Sequence, residues 1–209
     1  MSYSVPAGAH TLQWIYAKTS SSATGGGQDT AWLDQVSFLP NPPVITHQPV
    51  GQTVSMGAEV VLGVAASGPS PISYQWLKDG TNLPGATSTN LVLPKATRRT
   101  SGAYAAAASN PGGSVLSSNA SVYVRVPQKL ASPSMSSSGS FMLLSGDADG
   151  GALLPGDLAA FQALASTNLE AWTPLTNSLA ITNGLLRLVD PGSTNYERRF
   201  YRIDELLPH

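Results

Sequence analysis

Three features of the chain predict an all-β fold. Short runs of alternating apolar and polar residues, the period of a half-buried strand, recur along its 209 residues. Gly (20) and Pro (16) together make up about a sixth of the chain, and polar turn clusters separate the runs. No segment keeps the 3.6-residue apolar period over the length of an ordinary helix. The best, Leu153 to Leu164, predicts one short helical turn with Pro155 in its first positions.

Composition narrows the function classes. Only 11% of residues are charged and the formal net charge is -1, against about 25% charged in an average soluble domain. Such a surface is covered by Ser, Thr, Asn, Gln and Gly rather than by ion pairs. The 11 Lys and Arg residues are scattered, so no basic face for nucleic acid or anionic lipid is expected. Arg98-Arg99 and the group Arg198, Arg199 and Arg202 read as solvated strand ends or loop positions rather than phosphate sites. The absence of cysteine excludes disulfides, thiolate chemistry and thiolate metal sites. It does not imply a cytosolic home, because disulfides are one option among several for an exported module. No run of about 18 apolar residues exists, so no membrane span is expected. Met1 to Pro6 lacks a basic segment followed by an apolar core, so no signal peptide is read in this chain. The signal of an exported parent protein would lie outside it.

Residues 1–40 hold two strand-like runs, Thr11 to Lys18 and Ala31 to Leu39, separated by a loop containing Gly25-Gly26-Gly27. Leu12, Trp14 and Tyr16 share one face of the first run; Trp32, Asp34, Val36 and Phe38 share one face of the second. Two strands alone are marginal in water, so this hairpin must pack on something else. The two runs resemble the last long strands of bacterial jelly-roll domains, which include carbohydrate-binding and adhesin-type members. The resemblance implies that this chain is the C-terminal part of a longer polypeptide.

Residues 41–126 carry the stronger signature. Tyr74-Gln75-Trp76-Leu77-Lys78-Asp79-Gly80 combines alternation, a tryptophan and an Asp-Gly turn, and Gly102-Ala103-Tyr104 follows before a small-residue strand. This pattern resembles an immunoglobulin-like sandwich. The resemblance implies a Pro-rich first strand from Asn41 to Pro49, with further strands over Glu59–Ala66, Ile72–Lys78, Asn90–Leu93, Gly102–Ser109 and Ser114–Val126. Trp76 is then the core tryptophan. Val64 and Ala106 occupy the positions where the family usually has a disulfide, and Tyr104 stands at the tyrosine corner. Thr100 replaces the acidic residue common four positions before that tyrosine, which puts one stabilising hydrogen bond in doubt.

Residues 127–140 read as a Ser/Pro-rich linker. Residues 141–209 predict a second, small β domain, with strands at Phe141–Ser145, Ala160–Ser166, Trp172–Thr176, Leu179–Thr182, Leu185–Val189 and Phe200–Ile203. The phrase Ala165 to Trp172, with Asp190-Pro191 and Arg198 to Arg202, resembles small β domains at the C-termini of large exported proteins of environmental bacteria. That terminal placement implies anchoring, sorting or spacing. The predicted fold class is therefore all-β: a jelly-roll-like hairpin, an immunoglobulin-like sandwich and a small C-terminal β domain.

Catalytic constellations are sparse. No Gly-x-Ser-x-Gly or Ser-x-x-Lys occurs, and the three histidines are His10 at a strand start, His47 in the Pro-rich strand and His209 at the end. The four glutamates, Glu59, Glu170, Glu197 and Glu205, form no recognisable pair for glycoside chemistry. Asp147-Ala148-Asp149-Gly150 followed by Asp157 admits two readings, a plain Asp-Gly turn or a calcium loop. Gly151 at the fifth position and the missing Glu at the twelfth break the calcium spacing. Asp34, near Asp29, likewise reads as a hairpin cap or, on the jelly-roll resemblance, as a support for structural calcium. Calcium is the one cofactor considered. Trp14, Tyr16 and Trp32 are either a platform for sugar rings or the buried side of the hairpin, while Trp76 and Trp172 read as core.

The expected function is a non-catalytic binding or spacer region of a secreted or surface-displayed bacterial multidomain protein, with a polysaccharide or cell-surface glycan as partner. One alternative is an unusual hydrolase built on His10 or His47, an esterase or glycosidase, and another is a purely structural stalk or sorting tail. Open edge strands in residues 1–40 raise a homodimer through that segment.

Overall fold

A computed structural model describes residues 40–131, 133–137 and 139–206. The hairpin of residues 1–39, with His10, Trp14, Tyr16, Asp29, Trp32 and Asp34 and the dimer expected through it, lies outside the described residues, as does His209.

Among the described residues the fold is all-β with three short 3₁₀ turns. The strands begin β1 Val44–His47, β2 Gln52–Ser55, β3 Val60–Gly63, β4 Ala65–Ser67, β5 Ser73–Lys78, β6 Thr81–Asn82, β7 Asn90–Leu93, β8 Gly102–Asn110 and β9 Gly113–Leu116. They continue β10 Ala120–Arg125, β11 Gln128–Leu130, β12 Ser134–Met135, β13 Phe141–Asp147, β14 Phe161–Ser166, β15 Thr173–Pro174, β16 Leu179–Thr182, β17 Leu185–Asp190 and β18 Phe200–Glu205. The 3₁₀ turns span Arg98–Thr100, Pro155–Ala160 and Ser193–Asn195.

The described residues fall into two compact units. The first comprises residues 40–50, 62–91 and 104–120. Within it β5 lies antiparallel to β8 with Trp76 opposite Ala106, and β6 pairs with β5 through the Asp79-Gly80 turn. Both turn residues have positive φ, 50° and 77°, the conformation that a tight hairpin demands and that Asp-Gly tolerates. Trp76, Ala106 and Ala108 are fully buried, with Leu62, Val64 and Tyr104 nearly so. The alanines of β8 are thus the small partners that leave room for one large indole. The indole N–H, which must be satisfied when buried, donates to the Ser88 carbonyl at 2.8 Å.

Two expected strands are interrupted here, and the hydrogen bonds say why. The strand over Glu59–Ala66 divides at Val64, whose amide turns to the Thr89 carbonyl at 2.9 Å, after which β4 pairs with β1. The long last strand breaks between β9 and β10. There the Ser117 hydroxyl takes the Ala106 amide at 2.9 Å, while the Ser117 amide donates to the Ala106 carbonyl. Gln48 accepts from the Ser118 amide at 2.8 Å. Side chains have replaced ladder partners at this break.

The second unit comprises residues 51–61, 92–103 and 121–206. In it β2 runs parallel to β10, β13 lies between β11 and β17 with β16 beyond, and β14 lies between β15 and β18. Leu153, Phe161 and Leu186 form a core, against which Leu158, Leu179, Ile181 and Ile203 pack. The helical turn expected near Pro155 is a 3₁₀ turn with that proline at its start. Inside the stretch read as a linker, residues 128–130 and 134–135 form strands on β13.

Candidate functional site

The most distinctive chemistry of the second unit gathers around Val126-Pro127, where β10 ends. Gly51 allows β2 to approach β10, because a side chain there would meet the Ser121 carbonyl oxygen at 2.6 Å. The pairing places Arg125 opposite Ser55 and Tyr123 opposite Thr53, and the Met56 amide donates to the Arg125 carbonyl at 2.9 Å. Strand alternation then sorts the side chains. Val122, Val124 and Val126 are buried, while Tyr123 and Arg125 project from the other face.

Beside them lies a buried ion cluster. Thr97 precedes the first 3₁₀ turn, and its amide donates to the Thr100 hydroxyl at 3.0 Å. Thr100 therefore closes the turn that presents Arg98. The Arg98 guanidinium bonds both oxygens of Asp147, Nε to Oδ2 at 2.5 Å and Nη2 to Oδ1 at 2.9 Å. Its Nη1 donates to Glu205 Oε1, and its plane lies 5.1 Å from the Phe161 ring centre. The side chains of Arg98 and Asp147 are only 9% and 1% exposed, which makes this a buried pair rather than a surface one. Gln128 donates to Asp147 at 2.5 Å and accepts from the Ser145 hydroxyl at 3.1 Å. Burial alone would lower the Arg98 pKa; the two carboxylates outweigh it and raise it above the ordinary arginine value.

An open cleft of about 440 Å³ borders this cluster, lined by Ser55, Met56, Tyr123, Arg125, Val126, Pro127 and Glu205. A second, of about 390 Å³, shares Val126, Pro127 and Glu205 with it and extends to Gln128, Leu130, Leu143 and Tyr201. The Tyr123 hydroxyl is buried without a hydrogen bond of ordinary geometry. Burial, reinforced by neighbouring Glu205, pushes its pKa up to about 12.

The other residues singled out from the sequence fall elsewhere. His47 is exposed on β1, opposite Ala65. Asp147 is committed to Arg98. Asp149 accepts from the Gly151 amide at 2.8 Å, and Gly150, with φ of 77°, donates to the Asp147 carbonyl at 2.9 Å, the geometry of an Asp-Gly turn. Asp157 pairs with Arg99 and accepts from the Leu154 amide at 2.6 Å. Among the described residues no three His, Asp or Glu side chains come together in a way that could hold a metal ion.

Three expectations need correcting. Arg98 is buried in an ion cluster rather than solvated. Arg199 is likewise sequestered, with Nε 2.5 Å from Asp190 Oδ2, out of line for a hydrogen bond but close enough for charge pairing, and its guanidinium lies 4.0 Å from the Tyr196 ring centre. Trp172 is half-buried rather than core: its indole N–H is tied to the Leu169 carbonyl at 3.1 Å, and Arg202 covers the ring at 4.7 Å. Sequence reasoning missed Tyr123 and Arg125 and weighed Glu205 only as half of a carboxylate pair. The alternation Val122-Tyr123-Val124-Arg125 was the available signal for the first two.

Comparison with known proteins agrees with the fold. Residues 42–110 match the family model described as an immunoglobulin domain. The advanced glycosylation end product-specific receptor of Rattus norvegicus is 41% identical over 64 residues, covering 31% of this chain and 16% of the receptor. Endoglucanase C of Cellulomonas fimi is 39% identical over 111 residues, covering 49% of this chain and 10% of the endoglucanase. The chain thus spans a small part of the length of these relatives. Among solved structures, an I-band fragment of titin aligns with 71% of this chain and 54% of its own at 17% identity, with a TM-score of 0.40. A titin–obscurin-like 1 immunoglobulin complex aligns with 41% of this chain and 96% of its own at 27% identity, with a TM-score of 0.38. No helix among the described residues is long and apolar enough to cross a membrane. On the family model over residues 42–110, the chain contains an immunoglobulin-like domain.

Proposed function

We propose that this chain is a non-catalytic binding and spacing region of a longer exported bacterial protein, and that its partner is a glycan. The observation that carries this reading is the 111-residue similarity to endoglucanase C, which occupies about half of this chain but only 10% of that enzyme. A segment of that kind is an accessory to a larger polypeptide. On this reading residues 1–40 end a jelly-roll domain, 41–126 are the immunoglobulin-like sandwich, 127–140 connect, and 141–209 are a small β domain. The low charge of the chain favours a neutral polymer over nucleic acid or an anionic surface.

The Pro127 connection supports the spacing role. The Pro127 carbonyl accepts from Ala148 at 2.9 Å, the Ala131 amide donates to Leu144 at 2.8 Å, and β11 is paired with β13. A connection held in this way resists bending more than a free polar linker does.

The test is a binding and hydrolysis screen of the purified chain against insoluble polysaccharides and ester substrates. Retention on a polysaccharide without product release is expected. Turnover that survives purification and vanishes in His47→Ala or His10→Ala would replace this reading with the hydrolase. Silence in both assays would leave a stalk.

A further inference from the structure

We propose that the cleft bounded by Tyr123, Arg125 and Glu205 is a binding site for a short neutral saccharide segment, an inference that rests on the glycan-binding reading above. Its volume of about 440 Å³ lies within the range of small-molecule sites, about 300–1,000 Å³. Met56, Val126 and Pro127 supply apolar wall, and the Tyr123 ring adds an aromatic surface suited to the C–H face of a sugar.

The polar groups match the same ligand. Arg125 only donates hydrogen bonds and ionised Glu205 only accepts them, whereas a sugar hydroxyl does both. One positive and one negative group leave the cleft without net charge, which disfavours strongly anionic or cationic ligands. Arg98 holds one oxygen of Glu205, so the carboxylate is oriented before a ligand arrives and less ordering is lost on binding. Ser55, opposite Arg125 in the parallel ladder, adds a hydroxyl at the rim. The buried Tyr123 hydroxyl, beside Glu205, borders the same cleft.

The decisive experiment titrates the whole chain with cellohexaose, xylohexaose and mannohexaose by calorimetry. Two variants at exposed positions, Arg125→Ala and the cleft-filling Ser55→Trp, are titrated in parallel, and thermal melts confirm that both fold. One hexasaccharide is expected to bind, Arg125→Ala to weaken it about tenfold, which corresponds to roughly 1.4 kcal/mol, and Ser55→Trp to abolish it. Affinity unchanged within twofold in both variants would overturn this site while leaving the glycan-binding reading intact. Binding of none of the three probes would also overturn the site, and absence of retention on insoluble polysaccharides would then remove the broader reading as well.

Discussion

Arg98 and Asp147 stand 49 residues apart in sequence yet meet as a two-pronged pair, with Nε to Oδ2 at 2.5 Å and Nη2 to Oδ1 at 2.9 Å. The planar guanidinium matches the carboxylate edge to edge, the arrangement in which an ion pair gains most from direct hydrogen bonding. Because Glu205 and Gln128 complete the cluster, the buried charges are compensated.

Removing one partner is therefore costly. Arg98→Met should destabilise the chain by about 3–5 kcal/mol, because Asp147 is left charged and buried. Chemical denaturation measures this directly. The double variant Arg98→Met/Asp147→Asn should recover part of the loss. A cost near 0–1 kcal/mol would be the behaviour of a surface pair.

The break between β9 and β10 depends on one hydroxyl. Ser117→Ala leaves the Ala106 amide without its acceptor in a buried strand, at a cost of about 1–3 kcal/mol. A lower melting temperature together with faster amide exchange at Ala106 is the expected outcome. Unchanged exchange would show that another acceptor takes over.

Acid should act on Asp157. Burial raises its pKa, but the Arg99 hydrogen bond and the Leu154 amide reverse this, and the net shift is downward. A depressed folded-state pKa means that the stabilisation is complete above the ordinary aspartate value. It is lost as pH falls through the lower folded value. NMR titration of the Asp157 carboxyl should show the low midpoint, and Arg99→Ala should move it upward.

Alkali should act on three tyrosines. Burial, with Asp79 near Tyr104, Glu205 near Tyr123 and Asp190 bonded to Tyr201, pushes all three up to about 12 from 10.0. Here the folded state holds the proton more tightly. The stabilisation is therefore complete below the ordinary tyrosine pKa and is lost as pH rises through the folded value. Ultraviolet titration should show a late-ionising class among the seven tyrosines. A single midpoint near 10 would contradict this.

Local pattern carried much of the fold. Alternation, Gly/Pro turns and the Trp76–Tyr104 spacing were enough to place β5 and β8, the Asp79-Gly80 turn and all six later strands, β13 to β18, within a few residues. Strand period and turn chemistry are written in neighbouring residues, so they can be read without knowing what packs on what. The breaks at Val64 and Ser117 could not be read in this way, because each arises when an amide finds a partner 11 to 25 residues away. Nor could the fate of Arg98, whose neighbour Arg99 has the same local context but is half-exposed. Asp147 looked like part of a turn or a cation loop until folding brought a guanidinium to it across 49 residues. The cleft lies in the same category. Alternation could put Tyr123 and Arg125 on one face, but only the closed chain brings Glu205 from β18 beside them. Charge compensation and concavity are properties of residues distant in sequence, and tertiary structure alone decides them.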